Sequence, residues 1–360
     1  MSELLIVAPT QRMLDVLLEM MTENQICGNV YVKLIGNKKT INASSAFTIV
    51  DDVADLRDRS LRVLCCSEEA IYWLSNNMGS GWELQFDPSY LKLLDKLSFK
   101  EFLVERGLPI CRYWKQAEEV DVFPVVGKPS IGFASMGVKF LMDFDSCKAY
   151  EDDFTKVMTD SVVEKYRRLY FTSAENKPLF EQEIAGDFYR TSFVVKQKRC
   201  LDCFPVKGIT QSTAPGKQYS WIEFEYVHVQ SEAYISIKEL LHKVAESFNL
   251  CDGVYVAEFM GTAAGDMFVL ELSPRITSSR IVKLIEYATD VDLDLVMARA
   301  FLKLDFAVAP TENKRARLRI ERKTDVFDSL HSYTQLPTIT ETSAHGDAVD
   351  CKYFVKEETA

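Results

Sequence analysis

The chain has 360 residues, of which 47% are hydrophobic and 26% are charged, and its formal net charge is -11. This composition is typical of a globular protein with a large core, and the length predicts two or three closely packed domains. The negative charge argues against nucleic acid as a partner, because binding to a phosphate backbone depends on clustered Lys and Arg.

The cysteines and the N-terminus favour a cytoplasmic protein with reduced thiols. There are nine cysteines, without the regular spacing of a disulfide framework, and the first residues lack the basic start and cleavage site of a signal peptide. No apolar run reaches the roughly 20 residues that span a bilayer, so no membrane partner is expected. Cys200 and Cys203 form a C-x-x-C. Neither a second pair nor a nearby His completes a zinc site, so ordinary thiols are expected there.

Short β-type runs alternate with helical runs over the first hundred residues. LLIVA, VYVKLIG, FTIVDD and RVLCCS are strand-like, whereas RMLDVLLEMMTE and EEAIYWLSNNM are typical of helices. This rhythm predicts a small open α/β sheet, which we assign to a domain at 1–94. Pro9 and Thr10, rather than a glycine fingerprint, follow the first strand. No dinucleotide site is therefore predicted there.

Helical and strand-like segments follow one another from residue 95 to residue 302. The periodicity predicts helices at 95–106, 147–170 and 233–249, a long helix from about Ser279 to Leu302, and strands at 179–199 and on both sides of a glycine-rich turn after residue 124. Residues 303–360 mix apolar runs with Pro, Thr and Glu, and this pattern assigns them to no element.

A β-hairpin is predicted to bring Glu258 and Glu271 face to face. Two strand-like runs, VYVAEFM and MFVLELSPR, flank a segment of turn formers. If the hairpin is symmetric about Ala264 and Gly265, the two glutamates are directly opposed, and strict alternation places Val269 on the face of Glu271. Such carboxylates lie about 5 Å apart and destabilise the sheet unless something compensates.

A divalent cation would compensate those charges. Mg²⁺ prefers oxygen ligands, often one or two carboxylates together with phosphate oxygens and water. The alternative is a polar face screened by solvent and Lys. Arg275 favours the metal site, because a guanidinium beside it suits an anionic, phosphate-bearing intermediate.

Lys128 ends an apolar strand and precedes a loop rich in glycine and serine. Glycines let the backbone approach an anion and donate N–H groups to it. The loop carries Ser130, Gly132, Ser135 and Gly137. It is not a Walker A sequence, because Val138 and Lys139 stand where Lys and Ser or Thr are required. The pattern predicts a strand-loop-strand flap over phosphate, although ordinary glycine hairpins share it.

These segments, in this order, resemble the ATP-grasp superfamily, which includes biotin carboxylase, carbamoyl-phosphate synthase and D-alanyl-D-alanine ligase. The resemblance covers about residues 95–300. It rests on the D-K segment at 95–109, the phosphate loop at 124–138, a hinge for adenine at 180–186 and metal-binding strands at 257–260 and 270–275. It implies α/β and α+β architecture. Two strand-rich subdomains, at 95–180 and 181–302, would clasp ATP after a small open α/β sheet domain.

The resemblance also implies a role for each matching residue. The residues implied to bind ATP are Lys96 and Lys128 at the phosphates, the loop residues Ser130, Gly132, Ser135 and Gly137 above them, Glu181, Gln182 and Ile184 at the adenine, chiefly through backbone groups, and Asp187 near the ribose. Glu258, Glu271 and Ser273 would hold Mg²⁺, or Mn²⁺ in its place. Arg275 and Lys128 would act in catalysis. We expect Lys128 and the hinge at Glu181 to lie on separate sheets, with the ATP cleft between them.

The chain departs from the family pattern in three places. Ser273 stands where Asn is usual, which puts metal affinity or number in doubt. Phe188 stands where the ribose-binding acid is usual and Asp187 precedes it, so either the strand is shifted or the ribose is held otherwise. Ser278 and Ser279 replace glycines and reshape the acceptor pocket.

The implied activity is that of an ATP-dependent carboxylate-amine ligase, which activates a carboxylate as an acyl phosphate and releases ADP and phosphate. The alternatives are an ATP-dependent carboxylase acting through carboxyphosphate, and a nucleotide-binding protein that has lost catalysis, for which Ser273 and Phe188 argue.

The expected partners are a small-molecule carboxylate and an amine. The sequence does not name them, because their contacts come from variable loops such as 204–222. It does not define the oligomeric state either, and a homodimer is compatible with it.

Overall fold

The structure is a computed structural model that describes most of the chain. The described residues are 3–35, 41–132, 135, 137–161, 176–211, 221–308, 314–321, 334–336, 339–342 and 348–356. Among them, no helix is both long enough and apolar enough to cross a lipid bilayer.

A parallel sheet with its helices occupies the N-terminal residues. Its elements are β1 (Glu3–Val7), α1 (Gln11–Thr22), β2 (Val30–Lys33), β3 (Thr48–Val50), β4 (Leu61–Cys65), α2 (Glu68–Asn77) and β5 (Trp82–Leu84). The strand order is β3-β2-β1-β4-β5. Thr10 and Ser67 begin the two helices, because each side-chain oxygen accepts a backbone N–H from three residues further along. The open α/β sheet that the sequence predicts is confirmed, with β5 as an additional strand.

A small antiparallel sheet follows. Its elements are α3 (Lys96–Glu105), β6 (Tyr113–Trp114), β7 (Val125–Pro129), β8 (Lys139–Leu141), α4 (Phe144–Asp152), α5 (Phe154–Ser161) and β9 (Pro178–Gln182). The strand order is β6-β9-β7-β8. Val125, Tyr150 and Phe180 pack in one buried cluster between the sheet and α4. The single helix predicted at 147–170 is instead two helices, because a turn at Asp153 separates α4 from α5. Residues 162–170 of that prediction lie outside the described part.

The large antiparallel sheet carries the rest of the described chain. Its elements are β10 (Gly186–Lys196), β11 (Arg199–Gln211), β12 (Trp221–Tyr226), α6 (Glu232–Ser247), β13 (Gly253–Thr262), β14 (Met267–Ser273), α7 (Ser279–Thr289), α8 (Leu293–Phe301), β15 (Arg315–Glu321), β16 (Thr334–Gln335), β17 (Ile339–Thr342) and β18 (Ala348–Lys356). The order is β14-β13-β10-β11-β12-β15-β18-β16, and β17 also pairs with β18. The described strands after residue 303, in the segment that the sequence left unassigned, therefore extend this sheet.

The single helix predicted from Ser279 to Leu302 is wrong, because two helices occupy that segment. Asp290 ends α7 in the left-handed conformation, with φ 58°. Asp292 then begins α8, because its side chain accepts a hydrogen bond from the backbone N–H of Leu295. A polar residue that tolerates the left-handed region ends a helix much as glycine does.

Asp294 on α8 should make the stability of the folded protein depend on pH. Burial, reinforced by the Asp292 carboxylate, raises the pKa of Asp294 from 3.8 to about 6. Because the folded pKa exceeds the unfolded one, the free energy of unfolding falls as the pH rises from about 4 to about 6. We expect Asp294→Asn to match the parent near pH 4 and to exceed its stability by roughly 3 kcal/mol above pH 6. Denaturant unfolding at pH 4 and pH 7.5 checks this, and the same difference at both pH values would contradict it.

Candidate active site

Two glutamates face each other across the hairpin of β13 and β14. Glu258 and Glu271 are directly paired in the register of the two strands. The turn lies between Thr262 and Met267. The opposition that the sequence predicts for this hairpin is therefore confirmed.

A β-bulge corrects the faces predicted for the rest of β14. The register shifts just after Glu258, so that Phe259 pairs with Val269 and Leu270 is the extra residue. An extra residue reverses the alternation of side chains beyond it. Val269 therefore lies with Phe259 in a core cluster on the opposite side of the sheet from Glu271. The prediction that Val269 shares a face with Glu271 is wrong.

Cationic side chains approach both glutamates. In Arg190, Nε and Nη2 donate hydrogen bonds to Glu258 Oε1 at 2.8 and 2.6 Å. The Nζ atom of Lys96 lies 3.8 Å from Glu271 Oε1. These cations offset part of the repulsion between the two carboxylates. Screening by a lysine was one of the two alternatives that the sequence left open for this pair, and a divalent cation was the other.

The oxygen donors around the hairpin fit a divalent cation. Ser273 is buried, and its hydroxyl has no hydrogen-bond partner among the described residues. A buried polar atom without a partner is rare. With Glu258 and Glu271 it forms a set of the kind that Mg²⁺ or Mn²⁺ takes. In the described part of the chain, no group of three or more His, Cys, Asp and Glu side chains could hold a metal ion, so the fit depends on Ser273.

Lys128 and Glu181 lie on neighbouring strands of one sheet. Residues of β7 pair with residues of β9, and Lys128 Nζ is 2.7 Å from Glu181 Oε1. The expectation that they lie on separate sheets is wrong, because β9 returns to β7 over a long connection whose pairing no local pattern reveals. The small sheet carries Lys128 and Glu181, and the large sheet carries Glu258 and Glu271.

The Lys128–Glu181 pair is ionised near neutral pH. Burial alone would raise the pKa of Glu181, but Lys100 and Lys128 lower it to about 2. Burial acts to lower the pKa of Lys128, and the Glu181 carboxylate outweighs it, so the pKa is raised. Lys128 therefore remains a cation that can bind phosphate.

The glycine-rich loop is tied to the first residue of α3. The backbone N–H of Lys96 donates to the Ser130 carbonyl at 2.7 Å, and its amine donates to the Gly132 carbonyl. Ser135 and Gly137 have φ 56° and 74°, the left-handed conformation of a tight turn. Residues 133, 134 and 136 lie outside the described part. The structure thus places Lys96 directly beside the loop that we expect to cover the phosphates.

The segment expected to meet adenine begins at the end of β9. The Gln182 N–H already donates to the Arg112 carbonyl at 2.9 Å. Ile184 is half-buried. The side chain of Glu181 binds Lys100 and Lys128, so that side chain is not a candidate for contact with the base.

Asp187 is not brought together with the two glutamates. Arg190 pairs with Glu258 in an unbroken register of β10 and β13, and side chains alternate between faces. Asp187 therefore lies on the opposite face, where its carboxylate accepts a hydrogen bond from Lys207 Nζ at 2.7 Å. Phe188 is buried on the Glu258 face. The assignment of Asp187 to the ribose finds no support in this geometry.

Arg275 is held by the N-terminal part of the chain. Its Nε and Nη2 donate to Glu68 Oε2 at 3.0 and 2.5 Å. Burial raises the pKa of Glu68, with Arg275 acting against it. Glu271 adds to that raised pKa, so α2 brings a further carboxylate close to the hairpin.

Sequence reasoning missed three residues of this site, Glu68, Lys100 and Arg190. Glu68 comes shortly after β4, and the carboxyl ends of parallel strands line ligand sites in open α/β sheets. Lys100 lies four residues after Lys96 and shares the buried face of its helix. These two sequence features could have identified Glu68 and Lys100 as candidates. Nothing local identifies Arg190, whose partner lies 68 residues away.

Cys200 and Cys203 are expected to be dispensable for activity. Both are buried on β11, and burial raises the pKa of Cys200 to about 12, so its thiol stays protonated and unreactive. We expect Cys200→Ser and Cys203→Ser to keep ATP turnover within about twofold of the parent. Elemental analysis adds a second check. Stoichiometric zinc that disappears in Cys203→Ser would contradict this expectation.

Solved structures with the same fold were found, whereas no protein-family model and no curated sequence matches the chain. Biotin carboxylase from Campylobacter jejuni, solved with a β-γ-ATP ligand, is 10% identical with a TM-score of 0.66, over 99% of this chain and 88% of that one. L-amino acid ligase from Bacillus licheniformis is 13% identical with a TM-score of 0.66, over 99% and 94%. N5-carboxyaminoimidazole synthase from Aspergillus clavatus, solved with ADP and 5-aminoimidazole ribonucleotide, is 12% identical with a TM-score of 0.65, over 99% and 94%. The chain therefore has the ATP-grasp fold that its sequence motifs indicate.

Proposed function

We propose that the protein is an ADP-forming carboxylate-amine ligase that binds Mg-ATP between its small and large antiparallel sheets. The observation that carries the proposal is the opposition of Glu258 and Glu271 on a hairpin that also carries Ser273, whose buried hydroxyl has no hydrogen-bond partner among the described residues. The solved structures with this fold include ligases and carboxylases. They support the general kind of reaction, and the substrates are our inference.

The residues of the small sheet would bind the nucleotide. Lys128 is a cation at the end of β7, and Lys96 lies at the start of α3 beside the Gly132 carbonyl. Both amines can neutralise phosphate oxygens, and the loop between them can close over the phosphates. In phosphoryl transfer the protein contributes mainly positioning and charge stabilisation.

The residues of the large sheet would act at the transferred group. A divalent cation held by Glu258, Glu271 and Ser273 would supply charge neutralisation at the phosphate oxygens when bound. Arg275 can donate bidentate hydrogen bonds to an acyl phosphate. In this structure its Nε and Nη2 donate to Glu68, so a bound anion would compete with that carboxylate.

A substrate panel tests the proposal. ADP and phosphate release are measured with Mg-ATP, a series of amino acids and small carboxylates, and each of them paired with amines. We expect release that requires both a carboxylate and an amine. Release driven by bicarbonate would favour the carboxylase instead. ATP binding without release under any condition would favour a nucleotide-binding protein that has lost catalysis.

A further inference from the structure

Lys100 is a fully buried lysine next to the proposed nucleotide site. It lies on α3 with 0% of its surface exposed. Its Nζ atom lies 3.3 Å from Glu181 Oε1 and 3.2 Å from the Val269 carbonyl. It also donates to the Cys111 sulfur at 3.7 Å. Lysine is almost never fully buried unless it is paired, so its partners explain how it is tolerated.

The Glu181 carboxylate forms ion pairs with both lysines of this cluster. Glu181 Oε1 lies 2.7 Å from Lys128 Nζ and 3.3 Å from Lys100 Nζ. Cys111 adds no charge, because burial and Glu181 raise its pKa to about 11. The two lysines and Glu181 together carry a net charge of +1.

Of the two described lysines in this cluster, only Lys128 is exposed to a ligand. The side chain of Lys128 is 12% exposed, whereas that of Lys100 is 0% exposed. Without Lys100, Glu181 would neutralise Lys128 alone, and the cluster would present no net charge to an anion. The contact from Lys100 to the Val269 carbonyl also joins α3 to β14, two residues before Glu271.

We propose that Lys100 is a positioning residue for ATP binding, one that engages Glu181 so that Lys128 keeps a positive charge available to phosphate. The inference rests on the proposed function. A purely structural role for Lys100 would not make the following prediction. If Lys100 acts through Glu181, removing the charge of Glu181 should restore the ATP affinity that is lost when the charge of Lys100 is removed.

Charge-balanced variants test this inference. Binding of ATP with Mg²⁺ is measured by isothermal titration for the parent, Lys100→Met, the double variant Lys100→Met with Glu181→Gln, and Lys128→Met. Circular dichroism and thermal unfolding check that each variant is folded. We expect Lys100→Met to bind ATP about tenfold more weakly than the parent, which is about 1.4 kcal/mol. The double variant should recover at least about fivefold of that loss, because Lys128 is then again an uncompensated cation.

The outcomes separate this inference from the proposed function. If the parent itself binds no nucleotide, the proposed function fails and the inference fails with it. If the parent binds and Lys100→Met binds equally well, the inference alone is overturned. It is also overturned if the double variant binds no more tightly than Lys100→Met. If Lys100→Met does not fold, the double variant is used to test the inference. It lacks both buried charges, so neither is left unpaired. It should then bind ATP at least about tenfold more tightly than Lys128→Met, and equal affinity would refute the role of Lys100.

Discussion

Replacing Glu271 with Gln should reduce Mg-dependent ATP turnover by at least about a hundredfold. The variant keeps the shape of the side chain but removes one of the two opposed carboxylates of the hairpin. Groups that neutralise charge at a transferring phosphoryl typically contribute factors of this size. Turnover is measured as ADP release, and the increase in Tm on addition of Mg²⁺ should also disappear.

The same variant should fold normally without Mg²⁺. Arg190 binds Glu258, and Lys96 approaches Glu271, so repulsion between the glutamates is already offset. We expect its free energy of unfolding to lie within about 1 kcal/mol of the parent. Glu101→Gln, an exposed glutamate on α3 that pairs with Lys115, is the matched control and should keep full turnover. Parent-like turnover in Glu271→Gln would remove the metal assignment.

Replacing Lys128 with Met should weaken ATP binding by about a hundredfold. Hydrogen bonds to charged groups contribute about 1.5–3 kcal/mol each, and the variant removes the cation that ends β7. Binding is measured by isothermal titration with ATP and Mg²⁺. Lys156→Met, an exposed lysine on α5, controls for a general loss of positive charge. Equal affinity in the parent and in Lys128→Met would show that the phosphates bind elsewhere.

Local sequence patterns predicted the strands and helices of this site better than they predicted which elements pair with one another. Period-two alternation and a short turn were sufficient to oppose Glu258 and Glu271, because both strands belong to one hairpin. The bulge at Leu270 was not predictable, because a single extra residue leaves the apolar content of the strand unchanged.

Contacts between distant segments could not be predicted from the sequence, because they depend on tertiary packing. Glu68 and Arg275 are separated by 207 positions, and only the packing of the N-terminal sheet against the large sheet brings them together. The shared sheet of Lys128 and Glu181 likewise follows from strand order rather than from composition. Ala316 and Leu318, by contrast, are buried on β15 and alternate with arginines, a signal that could have assigned this strand.

The division of the chain at residues 94/95, 180/181 and 302/303 remains a prediction. The small sheet ends with β9 at Gln182 and the large sheet begins with β10 at Gly186. Lys128 and Glu181 form an ion pair within the small sheet, although the predicted boundary at 180/181 separates them. The groups that we propose to bind the nucleotide are therefore better described by sheet than by position along the chain.

Isothermal titration of the parent protein with ATP and with ADP, each in the presence of Mg²⁺, tests the central claim most directly. The arrangement of Lys96, Lys128, Glu258 and Glu271 predicts saturable binding of one nucleotide per chain, weakened when Mg²⁺ is removed by a chelator. Failure to bind either nucleotide under these conditions would contradict the proposed site, and the proposed ligase activity would fall with it.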